Sequence, residues 1–286
     1  MSKVTARIRG SAGQVTALPF DGVRIVALCD GHADIDLGRF PSLDPEAARP
    51  LAQAGGVALD DMAVSVNAFL IEMPGRRYLV DAGNGALRGP GLGHLKTALA
   101  ASGRRPDDVD VVLMTHMHGD HCVGLYDDEA AVFTRAEMIV SEAERDFWND
   151  ESRLNETQRS QLDFARTAFA AYRDRTTLAT PGREVAPGIE MVALPGHTPG
   201  HVGYLIGAGG VLIWGDIIHV PALQIPRPEW YFRFDADPET AIATRRRILE
   251  RAATDDLIVA GAHLPFPGIA RIARDGERLR YLPVAL

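Results

Sequence analysis

Apolar and polar positions along this chain follow two periods. Short apolar runs bounded by Gly, Pro, Asn and Asp read as buried strands. Longer stretches with apolar residues three and four apart read as helices. Val23 to Leu28 is the first strand-like run, followed by a polar turn from Cys29 to Asp36. Phe40 to Asp60 is rich in Pro, Ala and Gly without clear periodicity, which suits an excursion from the core. Val64 to Glu72 reads as a strand, and Arg76 to Asp81 as its hairpin partner through Pro74-Gly75. Leu92 to Ser102 has helical spacing at Leu92, Leu95 and Leu99, and Gly103 ends it. Val109 to Met114 (V-D-V-V-L-M) reads as a buried strand.

The second half mixes both periods. Met138 to Val140 is a short strand; Ser141 then caps a helix, with Glu142 and Glu144 favourably placed in its first turn and Phe147 and Trp148 at its end. Thr157 to Tyr172 is a longer helical stretch carrying Phe164, Phe169 and Tyr172. Strands return at Ile189 to Leu194, Val202 to Ile206 and Val211 to Trp214. Pro238 to Ala253 reads as a helix whose basic run, Arg245, Arg246 and Arg247, is a solvated face. Leu257 to Ala260 is a further strand, and Gly268 to Val284 a closing hairpin. The order suits two sheets packed together with helices outside, in two similar halves.

Composition narrows the class. At 286 residues, 46% apolar and 24% charged, the chain fits a soluble globular protein of one large or two small domains. The net charge of −8 is spread through mixed acidic and basic residues, with no basic groove for nucleic acid. Apolar runs are too short for a membrane span, and Met1 to Gly10 lacks a signal-peptide core, so the expected location is cytoplasmic. Two cysteines, Cys29 and Cys122, exclude a disulfide framework. Cys122 reads as a small packed residue behind the segment considered next.

The chemistry concentrates in Thr115-His116-Met117-His118-Gly119-Asp120-His121, directly after the strand ending at Met114. His116 and His118 share a parity and can face one point. Asp120 and His121 can reach a second point nearby, with Gly119 allowing the bend between the pairs. Imidazole with carboxylate suits zinc, iron or manganese rather than calcium. Three more ligand-type residues follow strands at glycine-containing turns: His197, Asp216 and His263. Their recurrence along the chain points to a common centre.

Together, His116-x-His118-x-Asp120-His121 with His197, Asp216 and His263 resembles the ligand set of the metallo-β-lactamase superfamily, and the resemblance covers Val64 to Leu286. It implies a single α+β domain over residues 1–286, a four-layer αββα sandwich of two mixed sheets with helices outside. Residues 30–62 are then a flap or homodimer-contact excursion. It implies two divalent ions, zinc first, with manganese, cobalt or iron as alternatives. One ion would be held by His116, His118 and His197, the other by Asp120, His121 and His263, with Asp216 bridging them. Asp81, in the L-V-D-A-G turn, matches the family aspartate that orients ligands.

The segments from Gly215 to Gln224 and from Ala262 to Gly268 resemble the methyl parathion hydrolase branch, which includes lactonases with side activity on phosphotriesters. Pro195 to His201 is also similar to the N-acyl homoserine lactonases, in which a tyrosine stands where this chain has His219. The expected activity is hydrolysis of a lactone or ester by a metal-bridging hydroxide, with Asp120 taking the proton and His219 serving the leaving group or oxyanion. A phosphotriesterase is the nearest alternative, and an iron-dependent oxidoreductase on the same scaffold is the alternative of another class. A metal kept for stability alone is a third option. Trp148, Phe164, Phe169 and Phe232 are candidates for an apolar substrate pocket, and Arg88 for a substrate carboxylate. His32 and His94 are not placed as ligands; His201 supports the turn after His197.

Overall fold

The computed structural model describes residues 3–85, 89, 91–207 and 210–286. The first sheet is built from β1 (Val15–Phe20), β2 (Val23–Ile35), β3 (Met62–Met73), β4 (Arg76–Val80) and β5 (Val111–Leu113). A two-stranded ribbon, β6 (Tyr126–Asp127) with β7 (Ala130–Ala131), intervenes before β8 (Glu137–Ser141) and β9 (Thr176–Ala179) complete that sheet. The second sheet runs in chain order through β10 (Arg183–Ala186), β11 (Ile189–Ala193), β12 (Val202–Ile206), β13 (Val211–Ile213), β14 (Ile258–Ala260), β15 (Ile269–Asp275) and β16 (Arg278–Pro283). Both sheets are mixed: β4, β5, β8 and β9 pair in parallel in the first, and β13 with β14 in the second. The helices are α1 (Lys3–Arg9), α2 (Pro45–Ala54), α3 (Leu95–Ala101), α4 (Gly119–Cys122), α5 (Glu142–Asn149), α6 (Glu156–Arg159), α7 (Leu162–Ala171), α8 (Pro221–Gln224) and α9 (Pro238–Thr254).

Strand alternation creates the layers. On β3, Phe69 and Ile71 face Met191, Tyr204 and Ile213 between the sheets. Ala68 and Leu70 face the opposite way, onto Leu95 and Leu99 of α3 and Trp148 of α5. On the second sheet Val211 and Ile213 point inward, while Leu212 and Val259 pack on Ile248, Leu249 and Ala252 of α9. Strands buried on both faces read as continuous apolar runs, which is why they stand out in the sequence. The result is the expected αββα sandwich.

Several local expectations change. The polar stretch after Leu28 is no turn: β2 continues to Ile35 through an irregularity between Cys29 and Gly31 that re-aims its far end. The stretch from Thr157 to Tyr172 breaks into α6 and α7, because Asn155 caps the first helix and its chain turns at Ser160 and Gln161. Phe40 to Asp60 contains α2, started by Asp44, whose side chain accepts from Glu46 N, and by Pro45. Its Ala48 and Ala52 pack with Phe40, Leu223, Trp230 and Phe232, while Glu46, Arg49 and Gln53 remain exposed. Arg245 is not solvated: it is 1% exposed, donating to Ile217 O at 2.8 Å and Pro228 O at 2.9 Å and pairing with Asp235 at 3.2 Å. The Arg run marks a helix of which one arginine turns inward.

Near the end of β3, Glu72 takes Arg104 Nε at 2.7 Å and also pairs with Arg24. Burial alone would raise the Glu72 carboxyl, but Arg104 and Arg24 outweigh it and hold the group below its ordinary value of 4.5. A depressed carboxylate stabilises the fold above its unfolded pKa, and that contribution is lost as pH falls through the folded pKa. Glu72→Gln is therefore expected to cost about 1 kcal/mol in urea denaturation at pH 7. The gap should begin to narrow below pH 4.5 and vanish once the folded carboxyl is itself protonated; a gap that survives that protonation would assign the effect to packing.

Candidate metal centre

Every site segment leaves the same end of the two sheets. His116, His118 and α4, bearing Asp120 and His121, follow β5; His197 lies between β11 and β12; Asp216 follows β13; His263 follows β14. Their donor atoms converge. His118 Nδ1 lies 3.1 Å from His116 Nε2 and 3.0 Å from His197 Nε2. Asp216 Oδ1 lies 3.2 Å from His121 Nε2, and Asp216 Oδ2 lies 3.0 Å from His263 Nε2 and 3.3 Å from His197 Nε2. Asp120 Oδ2 is 3.4 Å from His263 Nε2 and 3.9 Å from His121 Nε2. Three-donor groups suited to an ion are His116, His118 and His197; His116, His121 and Asp216; Asp120, His121 and His263; and His197, Asp216 and His219.

The far ring atoms decide the protonation of these histidines. Asp81, at φ 60°, accepts Thr115 N at 2.9 Å and Thr115 Oγ1 at 2.8 Å, and its Oδ2 also takes His121 Nδ1 at 2.9 Å. Since the Thr115 hydroxyl proton goes to Asp81, its oxygen accepts from His116 Nδ1 at 3.0 Å. His197 Nδ1 donates to Asp235 Oδ1 at 2.8 Å, and His263 Nδ1 to Ser65 O at 2.8 Å. Each network puts the proton on Nδ1 and leaves an Nε2 lone pair pointing inward. Four such lone pairs and two carboxylates share one buried volume, and His121 Nε2 and Asp216 Oδ1 have no hydrogen-bond partner among the described residues. Lone pairs repel at these distances unless a cation lies between them, so the donor set fits divalent metal.

Electrostatics agrees. Burial first, then neighbouring imidazoles, drives His116 and His118 well below the ordinary imidazole value, into the neutral form that coordinates. At His121 and His263 burial is outweighed by the neighbouring carboxylates, Asp216 foremost, which push the rings above that value, so without a cation each keeps a second proton at Nε2, which an ion bound there would displace. Burial opposes ionisation of Asp235, but His197 and Arg245 bring it down to about 2.

Of the other supports, only His201 was legible in the sequence. Glu144 Oε1 accepts Met117 N at 2.8 Å and Trp148 Nε1 at 2.7 Å, and its Oε2 accepts Thr198 Oγ1 at 2.5 Å. One carboxylate thus ties the His116–His118 loop to the His197 turn. His201, kept neutral by burial at about 3, donates to Leu194 O and accepts Asp216 N at 3.1 Å. Gln161 accepts Gly119 N, and Asn67 donates to Leu264 O beside His263. The sequence signal for Glu144 was its place in a helix first turn, which also serves capping and so hid its role.

The donors floor a cleft of about 120 Å³ walled by Ala33, Ile35, Arg39, Val64, Phe232 and Phe234. Of the pocket candidates, Phe232 lines this cleft and stacks on His219 at 3.8 Å between ring centroids. Trp148 is fully buried behind the loop, its ring edge-on to His118 at 5.7 Å, and is not on the wall. Phe164 and Phe169 pack against the helical core instead. Arg88 lies outside the described residues. His219 lines the cleft with Nε2 3.4 Å from Asp216 Oδ2, and His32 and His94 stand outside the donor cluster. Cys122 is buried, with its thiol 3.4 Å from Met117 O.

An αββα sandwich that gathers seven imidazole and carboxylate groups able to hold metal at one end of its sheets marks the class of metal-dependent hydrolases. Residues 62–263 match the model of the Metallo-beta-lactamase superfamily, and the chain belongs to that family. It is 26% identical over 208 residues to YobT of Bacillus subtilis (strain 168), covering 71% of this chain and 85% of that one. It is 29% identical over 168 residues to an N-acyl homoserine lactonase of a Bacillus species, covering 56% of this chain and 58% of the lactonase. Among solved structures, hydrolase AbOPH of the beta lactamase superfamily is 29% identical with a TM-score of 0.89, covering 96% of this chain and 98% of that one. The dizinc quorum-quenching lactonase AidC shares the fold at a TM-score of 0.90 and 21% identity, over 96% of this chain and 98% of AidC.

Proposed function

We propose that this protein is a dinuclear metal hydrolase that opens lactones or cleaves esters, with phosphotriesters as a side substrate. The observation carrying the proposal is the convergence of four inward Nε2 atoms and two carboxylates beneath a largely apolar cleft, whose floor includes His197, His263, Asp120 and Asp216. His116, His118 and His197 would hold one ion, and Asp120, His121 and His263 the other, with Asp216 between them. When bound there, two divalent ions, zinc for preference, would supply hydroxide near neutral pH and polarise the scissile carbonyl. The lactonase relatives support the substrate class.

The chain's own residues then divide the work. Asp81, Asp235 and Ser65 hold the tautomers of the ligand imidazoles. Asp120, the more exposed of the two central carboxylates at 29%, is placed to accept a proton from the cleft. His219 is clamped between Phe232 and His263 with both nitrogens free of hydrogen-bond partners among the described residues, so an N–H can reach a departing alkoxide. His219→Leu is expected to lower kcat on a lactone about 10²-fold at unchanged metal content. Unchanged turnover removes that role, and loss of metal instead makes His219 a ligand.

The decisive test compares kcat/KM for dihydrocoumarin and methyl paraoxon on zinc-, manganese- and cobalt-loaded protein, with metal analysis of the protein as isolated. A large excess for the lactone supports the proposal; a large excess for the triester reverses the order of substrates. One iron per chain without zinc overturns the hydrolytic reading in favour of an oxidoreductase.

A further inference from the structure

The hydrolytic reading leaves one charge in the cleft unused. Arg39 ends a short 3-10 turn, Leu37–Arg39, and lines the wall beside Asp34, Phe232 and Phe234. Its guanidinium carbon lies 5.4 Å from the centroid of Phe234, whose ring in turn meets His118 edge-on at 5.8 Å. Two aromatic contacts therefore link the guanidinium to the donor cluster. The backbone holds both partners: Arg39 O accepts Arg233 N at 2.7 Å, and Phe234 O accepts Gln158 Nε2 at 3.3 Å.

Among the described residues, no carboxylate pairs with Arg39, and each acid of the cleft has another partner. Asp34 Oδ1 takes Arg9 Nη2 at 2.9 Å and Nε at 3.2 Å, while Asp120 and Asp216 face the histidines. A half-buried guanidinium on an aromatic face, at the edge of a largely apolar cleft, is preorganised for a planar anion and loses little freedom on binding one. Phosphotriesters and simple lactones are neutral and would leave it unmatched.

We propose that Arg39 is a specificity-determining residue, and that the preferred substrate is a lactone or ester carrying a carboxylate several atoms from its scissile carbonyl. This rests on the hydrolytic reading above and adds the charge of the substrate to it. The carboxylate docks on Arg39 while the carbonyl lies over the donor cluster.

The test uses zinc-loaded protein and two esters of matched length, mono-4-nitrophenyl glutarate and 4-nitrophenyl valerate. A charge-assisted hydrogen bond in a partly dry site should give the anionic ester about tenfold higher kcat/KM, carried by KM. Arg39→Met should raise KM for the glutarate ester about tenfold more than for the valerate ester, Arg39→Lys should restore part of the preference, and added salt should weaken it. Binding of glutarate itself, followed by calorimetry, reads the same contact without turnover, and Arg39→Met should weaken it about tenfold. Equal kcat/KM for the two esters, with equal glutarate affinity in wild type and Arg39→Met, overturns the proposal. If neither ester is hydrolysed but glutarate binding still depends on Arg39, the hydrolytic reading fails while the anion site stands.

Discussion

Asp216→Ala is expected to lower kcat/KM on the order of 10³-fold and to remove at least one metal ion per chain. Among the described residues, this carboxylate is the one acid that reaches both donor groups. Within 3.9 Å it meets Nε2 of His116, His121, His197, His219 and His263. Without it, the imidazoles keep their tautomers through Asp81, Asp235 and Ser65, but of the central carboxylates only Asp120 remains to offset two cations held close together. The methyl group of alanine leaves backbone Asp216 N on His201, so the turn survives and the loss is one of charge. The checks are metal content by mass spectrometry and lactone kinetics after reloading with zinc. Full metal content with less than about a tenfold loss of activity would show that the carboxylate does not bridge the ions.

The second large effect concerns folding. Glu144→Ala is expected to lower the thermal midpoint on the order of 10 °C, because it strands three buried donors: Met117 N–H, the Trp148 indole and the Thr198 hydroxyl. Each unmatched group costs roughly 1–3 kcal/mol, and in a domain of this size 1 kcal/mol moves the midpoint by about 2–4 °C. Glu144→Gln retains the oxygen that serves Met117 and Trp148 and offers an amide to Thr198 Oγ1, so it should recover most of the loss. Burial pushes the Glu144 carboxyl upward, so the neutral amide is also the easier occupant. If the alanine variant melts within about 2 °C of wild type, the site is hydrated and the linkage does not hold the loops.

The residues that converge as candidate metal ligands were legible because each carries its chemistry in its residue type and follows an apolar run that reads as a strand. His116 to His121 could be placed in a turn on periodicity alone, and the sandwich followed from strands buried on both faces. What failed was local and polar. The run after Leu28 looks like a turn because Asp30, Gly31 and His32 are poor strand formers, yet pairing with β3 keeps it extended. Arg245 looks solvated beside Arg246 and Arg247, and only the tertiary fold supplies the carbonyls and the Asp235 carboxylate that bury it. Arg39 and Phe234 gave no signal, since their meeting depends on a loop nearly two hundred residues downstream. Trp148 was assigned to the pocket because resembling hydrolases carry an aromatic lid residue in that helix, whereas its indole N–H found Glu144 on the far side of the loop.

The His263 ring is oriented by Ser65 O, 198 positions earlier, and its loop is held by Asn67. On the proposed assignment, one ion therefore needs ligands from β5's turn and from the segment after β14, oriented by β3. A nascent chain that has emerged through β12 presents His116, His118, His121 and His197 but lacks Asp216 and His263. Loading with both ions is thus a late event in biosynthesis, following release of the second half, and the half-made chain offers a metal scavenger in the cell only an incomplete, lower-affinity set of donors.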